Sequence, residues 1–243
     1  LPASMSITKG DLERMLFDED AEPKALPLSL LAEITDDFSN ELQIGAGGFA
    51  VVYKARLDNS VIAVKKLSNT YMREKEFHRE VECLIKAKHR NVVRFLGYCV
   101  DTQGNMASYN GKMVMADVHQ RFLCFGYLPN GSLDVHITDP SSGLDWRTRY
   151  NIIKGICEGL YYLHQNNILH LDLKPGNILL DEDMMPKITD FGLSRCFDDD
   201  QTRVITRDIG GTLGYLAPEF TNYEITHKFG LYGLGVIIME MLT

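Results

Sequence analysis

With 243 residues, 45% of them apolar and 24% charged, the chain has the balance of a globular protein long enough to bury a substantial core, not of a disordered or fibrous one. Lys plus Arg number 25 against 33 Asp plus Glu, a net charge of −8 that argues against a nucleic-acid backbone or an anionic membrane as the main partner. Residues 1–37 are polar and acidic, with Asp18-Glu19-Asp20, Glu22 and the breakers Pro23 and Pro27. They are expected to be a flexible flank with one short helix. From Leu42 the character changes. Leu42-Gln43-Ile44, Val51-Val52-Tyr53 and Val61-Ile62-Ala63-Val64 are β-branched runs separated by Gly or Asp-Asn turns, the pattern of consecutive antiparallel strands. Phe77, Val81, Leu84 and Ile85 then recur at helical spacing on one face, and Val92 to Val100 reads as strand. Residues 101–120 are polar and Met-rich around Asn110-Gly111, which fits an extended hairpin or a surface loop.

Beyond Leu128-Pro129-Asn130-Gly131 the pattern turns helical, with Ile152, Ile153, Ile156, Leu160 and Leu163 lining one side of a helix over 146–166. A mostly β first half and a mostly α second half, joined near Gly126 to Pro129, predict two lobes with a ligand cleft between them. Five cysteines stand at 83, 99, 124, 157 and 196. Their wide spacing excludes a zinc knuckle or a redox dipeptide, their odd number argues against a disulfide framework, and five reduced cytosolic thiols are expected. The longest apolar stretch, Phe229 to Met239, falls short of the roughly 20 residues needed to span a bilayer. Starting at Leu1 and stopping inside that stretch, the chain reads as a piece of something longer.

Gly45-Ala46-Gly47-Gly48-Phe49 lies between two predicted strands. Such glycines let backbone N–H groups approach a phosphate, although a glycine-rich hairpin turn accounts for them equally well. A dinucleotide fingerprint would need a helix after the glycines, and a P-loop would need Gly-Lys-Ser/Thr. Neither is present. Strand alternation puts Ala63 and Lys65 on one face and Lys66 on the other. Lys65 is then either a snorkelling edge charge or a phosphate ligand held by a carboxylate. Glu80 is the candidate, on the inward side of the following helix, with Glu76 and Glu82 further round and solvated.

After the long helix comes His170-Leu171-Asp172-Leu173-Lys174-Pro175-Gly176-Asn177, then Ile178-Leu179-Leu180, a turn at 181–183, Lys187-Ile188-Thr189 and Asp190-Phe191-Gly192. The two short apolar runs should pair as a hairpin with Asn177 and Asp190 together at its open end. An amide oxygen beside a carboxylate suits Mg²⁺, which takes a few hard oxygen ligands and keeps waters for substrate phosphates. Asp172 can accept a hydroxyl proton, and Lys174, two residues on, can neutralise a transferring phosphoryl group.

In this order the motifs resemble those of a eukaryotic protein kinase domain, from about residue 38 to the end: Gly45-x-Gly47, Ile62-Ala63-Val64-Lys65, Glu80, His170-x-Asp172-x-Lys174-x-x-Asn177, Asp190-Phe191-Gly192 and Ala217-Pro218-Glu219. Asp172-Leu173-Lys174-Pro175 with Gly211-Thr212-Leu213-Gly214-Tyr215 resembles the serine/threonine branch. Asp37-Phe38-Ser39 before the glycine loop, Leu128-Pro129-Asn130-Gly131-Ser132-Leu133, and Leu144-Asp145-Trp146 with Tyr162-Leu163-His164 resemble plant receptor-like kinases. The resemblance implies an α+β bilobal fold. A β-rich N-lobe over 38–125 would be followed by a hinge and incomplete helical C-lobe over 126–243, with 1–37 as a juxtamembrane-like flank.

It further implies phosphoryl transfer from ATP to a protein Ser/Thr hydroxyl with Mg²⁺. The place would be the cytoplasm, or the cytoplasmic face of the plasma membrane with a membrane span upstream. By resemblance Ile44, Val52 and Ala63 cover the adenine and Leu179 lies beneath it. Phe125 is the gatekeeper, and the backbone of Gly126 and Leu128 binds the adenine edge. Gly45, Ala46 and Gly47 meet the phosphates, and Lys65 paired with Glu80 holds the α- and β-phosphates. Asn177 and Asp190 carry the metal, and Asp172 with Lys174 does the chemistry.

Three positions depart from the family pattern. Ala50 replaces the third glycine, with a modest rate effect expected. Leu171 replaces the arginine that normally pairs with a phosphorylated activation segment, so turnover is expected not to depend on Thr202 or Thr206. Thr212 is different, because by resemblance it contacts the catalytic loop. Gly230 replaces a buried aspartate that anchors that loop, and helices that would cover Val236 to Met239 do not follow. The alternative is therefore a pseudokinase-like or truncated module that binds nucleotide or a partner with little turnover.

Overall fold

The computed structural model describes residues 7–68, 74–109, 111–138, 143–197, 204–205, 210–218, 224–226 and 228–242. Thr202, Thr206 and Glu219 lie outside the described residues. The chain divides into two units, residues 1–73 with 94–127, and residues 74–93 with 128–243.

The first unit is built on a six-stranded sheet. Lys24–Ala25 (β1), Gln43–Ala46 (β2), Ala50–Arg56 (β3), Val61–Leu67 (β4), Phe95–Tyr109 (β5) and Lys112–Gly126 (β6) are arranged in the order β1-β5-β6-β4-β3-β2. Alternation along β4 does what the pleat requires: Ile62 and Val64 are fully buried, whereas Ala63 and Lys65 face the other way and stay part-exposed. Lys66 shares the buried face, and its ammonium lies over the rings of Phe38, at 4.9 Å, and Phe122, at 5.7 Å. Of the two readings for 101–120, the structure adopts the hairpin. β5 and β6 pair from Asp101↔Gln120 to Tyr109↔Lys112, and Gly111 supplies the left-handed turn at φ 75°.

The leading segment corrects the expectation of a flexible flank. It holds two helices, Lys9–Phe17 (α1) and Leu28–Ile34 (α2), as well as β1, which pairs in parallel with β5. Thr8 caps α1 through a reciprocal bond with Asp11. Leu12, Met15, Leu30, Leu31 and Ile34 pack in one core with Ala55, Ile62, Val64 and Phe122 of the sheet. The guanidinium of Arg94 closes the end of α1, donating to the carbonyls of Met15, Asp18, Glu19 and Ala21 at 2.6 to 3.1 Å. The acidic composition of this stretch thus describes its solvent face only.

The second unit contains Glu74–Lys86 (α3), Leu133–Thr138 (α4), Trp146–Gln165 (α5), Ile168–Leu169 (β7), Ile178–Leu180 (β8), Pro186–Ile188 (β9), Arg195–Cys196 (β10), Val204–Ile205 (β11), Glu224–Ile225 (β12) and Lys228–Leu242 (α6). The apolar stripe of α5 is buried at Ile152, Ile156, Leu160 and Leu163, and Asp145 caps its start by accepting from the Thr148 N–H at 2.9 Å. On α3 the buried residues are Phe77, Glu80, Val81, Cys83 and Leu84, while Ile85, expected on the apolar face, is exposed. β8 and β9 form the predicted hairpin. Val92 is an isolated bridge to Ile188 and not the start of a strand. On α6, Ile237 and Met241 are fully buried and Met239 is exposed. Of the stretch expected to lie bare, Ile237 at least is covered.

Two of the five cysteines expected as separate thiols are neighbours in the fold. Cys83 of α3 and Cys196 of β10 stand within disulfide reach of each other, with Cα atoms 5.9 Å apart. The two are 113 residues apart in sequence, so spacing could not reveal the pairing.

Candidate active site

In the first unit the sheet register fixes which candidate residues are neighbours. Gly45 pairs with Val52, Val52 with Lys65, and Ala63 with Phe125, while Gly126 pairs with Ile62. Val52, Ala63 and Lys65 are part-exposed on one face of the sheet. Phe125 is buried and its ring lies 5.5 Å from that of Phe95. The glycine loop stands open: a side chain on Gly47 or Gly48 would meet nothing within 4 Å. Its backbone is closed by the Gly47 N–H donating to Ala50 O at 2.9 Å, and Ile44 and Phe49 are exposed.

In the second unit Asp172 and Asn177 are buried, and Lys174 partly so. Asn177 Nδ2 donates both to the Asp172 carbonyl, at 2.8 Å, and to Asp172 Oδ2, at 3.0 Å. Lys174 Nζ lies 3.0 Å from the same Oδ2 and donates to Thr212 Oγ1 at 2.7 Å. Thr212 Oγ1 in turn donates to Asp172 Oδ1 at 2.7 Å. Both carboxylate oxygens are therefore oriented by donors, one of them cationic, which suits a group that must hold its charge and its direction. The Thr212 contact expected from the family resemblance is present.

His170 supports this loop from behind. It is fully buried, and burial pushes its pKa below the ordinary value of 6.5, so the ring is neutral. With Nε2 bonded to Thr189 O at 2.8 Å, the proton sits on Nε2, and Nδ1 accepts from the Asp172 N–H at 3.4 Å. Ser194 Oγ donates back to His170 O at 3.1 Å. In the sequence His170 is a motif letter only; its neighbours are set by folding at a distance.

The open end of the β8–β9 hairpin joins the two candidate cation ligands, since Thr189 N–H donates to Asn177 O at 2.9 Å and Asp190 follows at once with φ 66°. Glu80 borders the same place: a methyl built on Gly192 would stand 3.7 Å from Asp190 Oδ1 and 3.8 Å from Glu80 Oε2. Glu82, expected to be solvated, is exposed and bonded to Lys86 at 2.8 Å. Leu128 is half-buried, and Leu179 is half-buried at its bridge to Ser132.

Two departures take physical form. Leu171, at φ 66°, packs with Leu216 against Leu169, Phe197, Ala217 and Phe229. An apolar seat therefore stands where the family pattern has an arginine. At Gly230, buried in α6, a Cβ would lie 3.0 Å from Leu160 and 3.1 Å from His164 Nε2, so neighbours have closed over the missing carboxylate. The helix also approaches the loop that carries Asp172 closely, with Leu173 O only 2.8 Å from where a Gly233 Cβ would be.

The profile of the protein kinase domain matches residues 38–243. The chain belongs to the protein kinase family. Within it, the domain is 43% identical to cysteine-rich receptor-like protein kinase 5 of Arabidopsis thaliana, over 86% of this chain and 30% of that protein. It is 42% identical to the G-type lectin S-receptor-like serine/threonine-protein kinase SD1-13 of the same plant, over 98% of this chain and 28% of that protein. A third relative, the receptor-like serine/threonine-protein kinase SD1-7, is 41% identical over 97% of this chain and 27% of its own length. This kinase domain thus spans less than a third of the curated relatives it matches. Among its described residues no helix is long and apolar enough to cross a membrane.

Proposed function

We propose that this kinase domain transfers the γ-phosphoryl group of ATP to a Ser or Thr hydroxyl of a protein, as the cytoplasmic part of a plant receptor-like kinase. The observation that carries the reading is the closed set of bonds joining Asp172, Lys174, Asn177 and Thr212 in a chain of this family. Asp172 orients the substrate hydroxyl and receives its proton as the oxygen attacks the γ-phosphorus and the bond to the bridging oxygen breaks, releasing ADP. Lys174 neutralises charge on the group in transit. Lys65 holds the α- and β-phosphates, with Glu80 as its orienting carboxylate, and the backbone of Gly45, Ala46 and Gly47 covers the phosphates. Ile44, Val52, Ala63 and Leu179 pack on the adenine. Phe125 borders its pocket, and the main chain of Gly126 and Leu128 reads its edge.

The residues present suit Mg²⁺. The nitrogen of Asn177 is committed to Asp172, which leaves the amide oxygen for a cation, and one amide with the Asp190 carboxylate is the sparse hard-oxygen set this ion accepts. When bound it would neutralise the phosphates and hold them in line.

Two measurements test the proposal: thermal shift of the chain with Mg-ATP, and phosphate incorporation into a Ser/Thr protein substrate by wild type and Asp172→Asn. The expected result is binding by both and turnover by wild type alone, the variant losing about 10²-fold or more. Gly230, closed over by Leu160 and His164, favours a second reading as a nucleotide-binding module. Saturable binding without turnover in wild type would establish it and remove the enzyme reading.

A further inference from the structure

We propose that Cys83 and Cys196 are a reversible thiol–disulfide switch that fastens α3 to the strand leaving Asp190-Phe191-Gly192. Their Cα separation of 5.9 Å lies within the span a disulfide bridges, roughly 4.4 to 6.8 Å. Their surroundings differ in a useful way. Cys83 is fully buried on α3, three residues and one helical turn beyond Glu80. Cys196 is part-exposed in β10, where it pairs with Ile168 of β7. An oxidant can therefore reach Cys196 first, with Cys83 held behind it as the resolving thiol.

The other thiols are poor competitors. Cys99 and Cys124 are buried in the first unit, and burial raises the Cys99 thiol to about 11 and the Cys124 thiol further. Cys157 is half-buried and also raised by burial.

The oxidant is a hydroperoxide. The Cys196 sulfur attacks one peroxide oxygen, the O–O bond breaks, and Cys196 becomes a sulfenic acid as the peroxide leaves as an alcohol or water. The Cys83 sulfur then attacks Cys196, forming the S–S bond and releasing water. In sum two thiols lose two electrons and two protons, and the peroxide takes them up. A dithiol reverses the step by exchange. One end of the tether is seated on β7, which leads into His170, and the other on the turn next to Glu80. Oxidation thus adds a covalent hold on the helix that carries Glu80, where the reduced chain has packing alone. What Glu80 does there rests on the phosphoryl-transfer reading; the formation of the bond does not.

The test uses the 243-residue chain, reduced and then treated with hydrogen peroxide, alkylated without reductant and mapped by mass spectrometry, with amide hydrogen exchange in parallel. The expected result is a fall from five alkylatable thiols to three, a Cys83–Cys196 cross-linked peptide that dithiothreitol abolishes, and exchange over residues 80–86 slowed about fivefold on oxidation. Cys196→Ser, a change at a part-exposed site, should keep all its remaining thiols alkylatable and show no oxidative slowing, while Cys157→Ser should behave as wild type. Five alkylatable thiols after peroxide, a cross-link through Cys99, Cys124 or Cys157, or unchanged exchange in the cross-linked chain would each overturn the proposal. A cross-link in a chain without turnover would leave it standing and remove only the kinase reading. Turnover without a cross-link would do the reverse.

Discussion

Under the proposed function, the glycine loop and the loop carrying Asp172 would meet the same kind of ligand charge by opposite means. Around Gly47 and Gly48 there is open space, and the loop offers backbone alone. Around Asp172 every carboxylate oxygen already has a partner, and two of those partners, Lys174 and Thr212, are bonded to each other. An element that works through its main chain tolerates a change of side chain that leaves the backbone path intact. One that works through an interlocked set of side chains does not, because removing any member leaves a buried partner unsatisfied.

Beyond Asp172→Asn, the sharpest way to break this contrast is Thr212→Val, which keeps shape but removes the bonds to Lys174 and Asp172. Turnover should fall about 10- to 100-fold with KM for ATP little changed, as expected from losing bonds to charged groups of about 1.5 to 3 kcal/mol. Steady-state kinetics with a loss under about twofold would show that the interlock is not needed.

Acid should next expose His170. Its folded pKa is below 6.5, so between that lowered value and 6.5 the unfolded chain binds more protons than the folded one. The stability it contributes is complete above pH 6.5 and is lost as pH falls through the window beneath. Asp190 and Asp172 oppose this depression and Lys174 adds to it. Tm measured at pH 7.5 and 5.5 should drop in wild type by more than in His170→Asn; equal drops would mean the ring is not held neutral.

Within α6 the same distinction between crowded and open backbone applies. Gly235 has nothing within 4 Å, and Gly235→Ala should stabilise by about 1 kcal/mol, raising Tm by about 2 to 4 °C. Gly230→Ala meets Leu160 and His164 and should lose that gain. Calorimetry showing equal shifts would deny the crowding. The smallest effect belongs to the open loop: Ala50→Gly should change kcat/KM by less than about threefold in the same kinase assay.

The parts of the fold that were legible in the sequence are those whose signal is local. Asp145 ahead of the stripe from Ile152 to Leu163 marks α5, and two short apolar runs flanking a turn mark β8 and β9 with Asn177 and Asp190 at the open end. Asp172, Lys174 and Asn177 could be grouped from the sequence because they lie within a few residues of one another, whereas Thr212, 40 residues from Asp172, joined them only through the family resemblance. What escaped depends on distant partners. Leu12, Met15 and Leu30 look like isolated apolar residues in an acidic stretch until Ile62 and Phe122 cover them. Cys83 and Cys196 have no common neighbourhood in the sequence. Leu171 reads as the loss of an arginine, and only the fold shows what it touches instead.

That apolar seat changes what the segment beyond Asp190 can sense. Contacts made by burying Leu171 and Leu216 against Phe197, Ala217 and Phe229 carry no charge for ions to screen and no phosphate for a phosphatase to remove. Their strength follows the cost of hydrating hydrocarbon, which declines as water is cooled. The docking of this segment should therefore be indifferent to added sodium chloride and loosen in the cold.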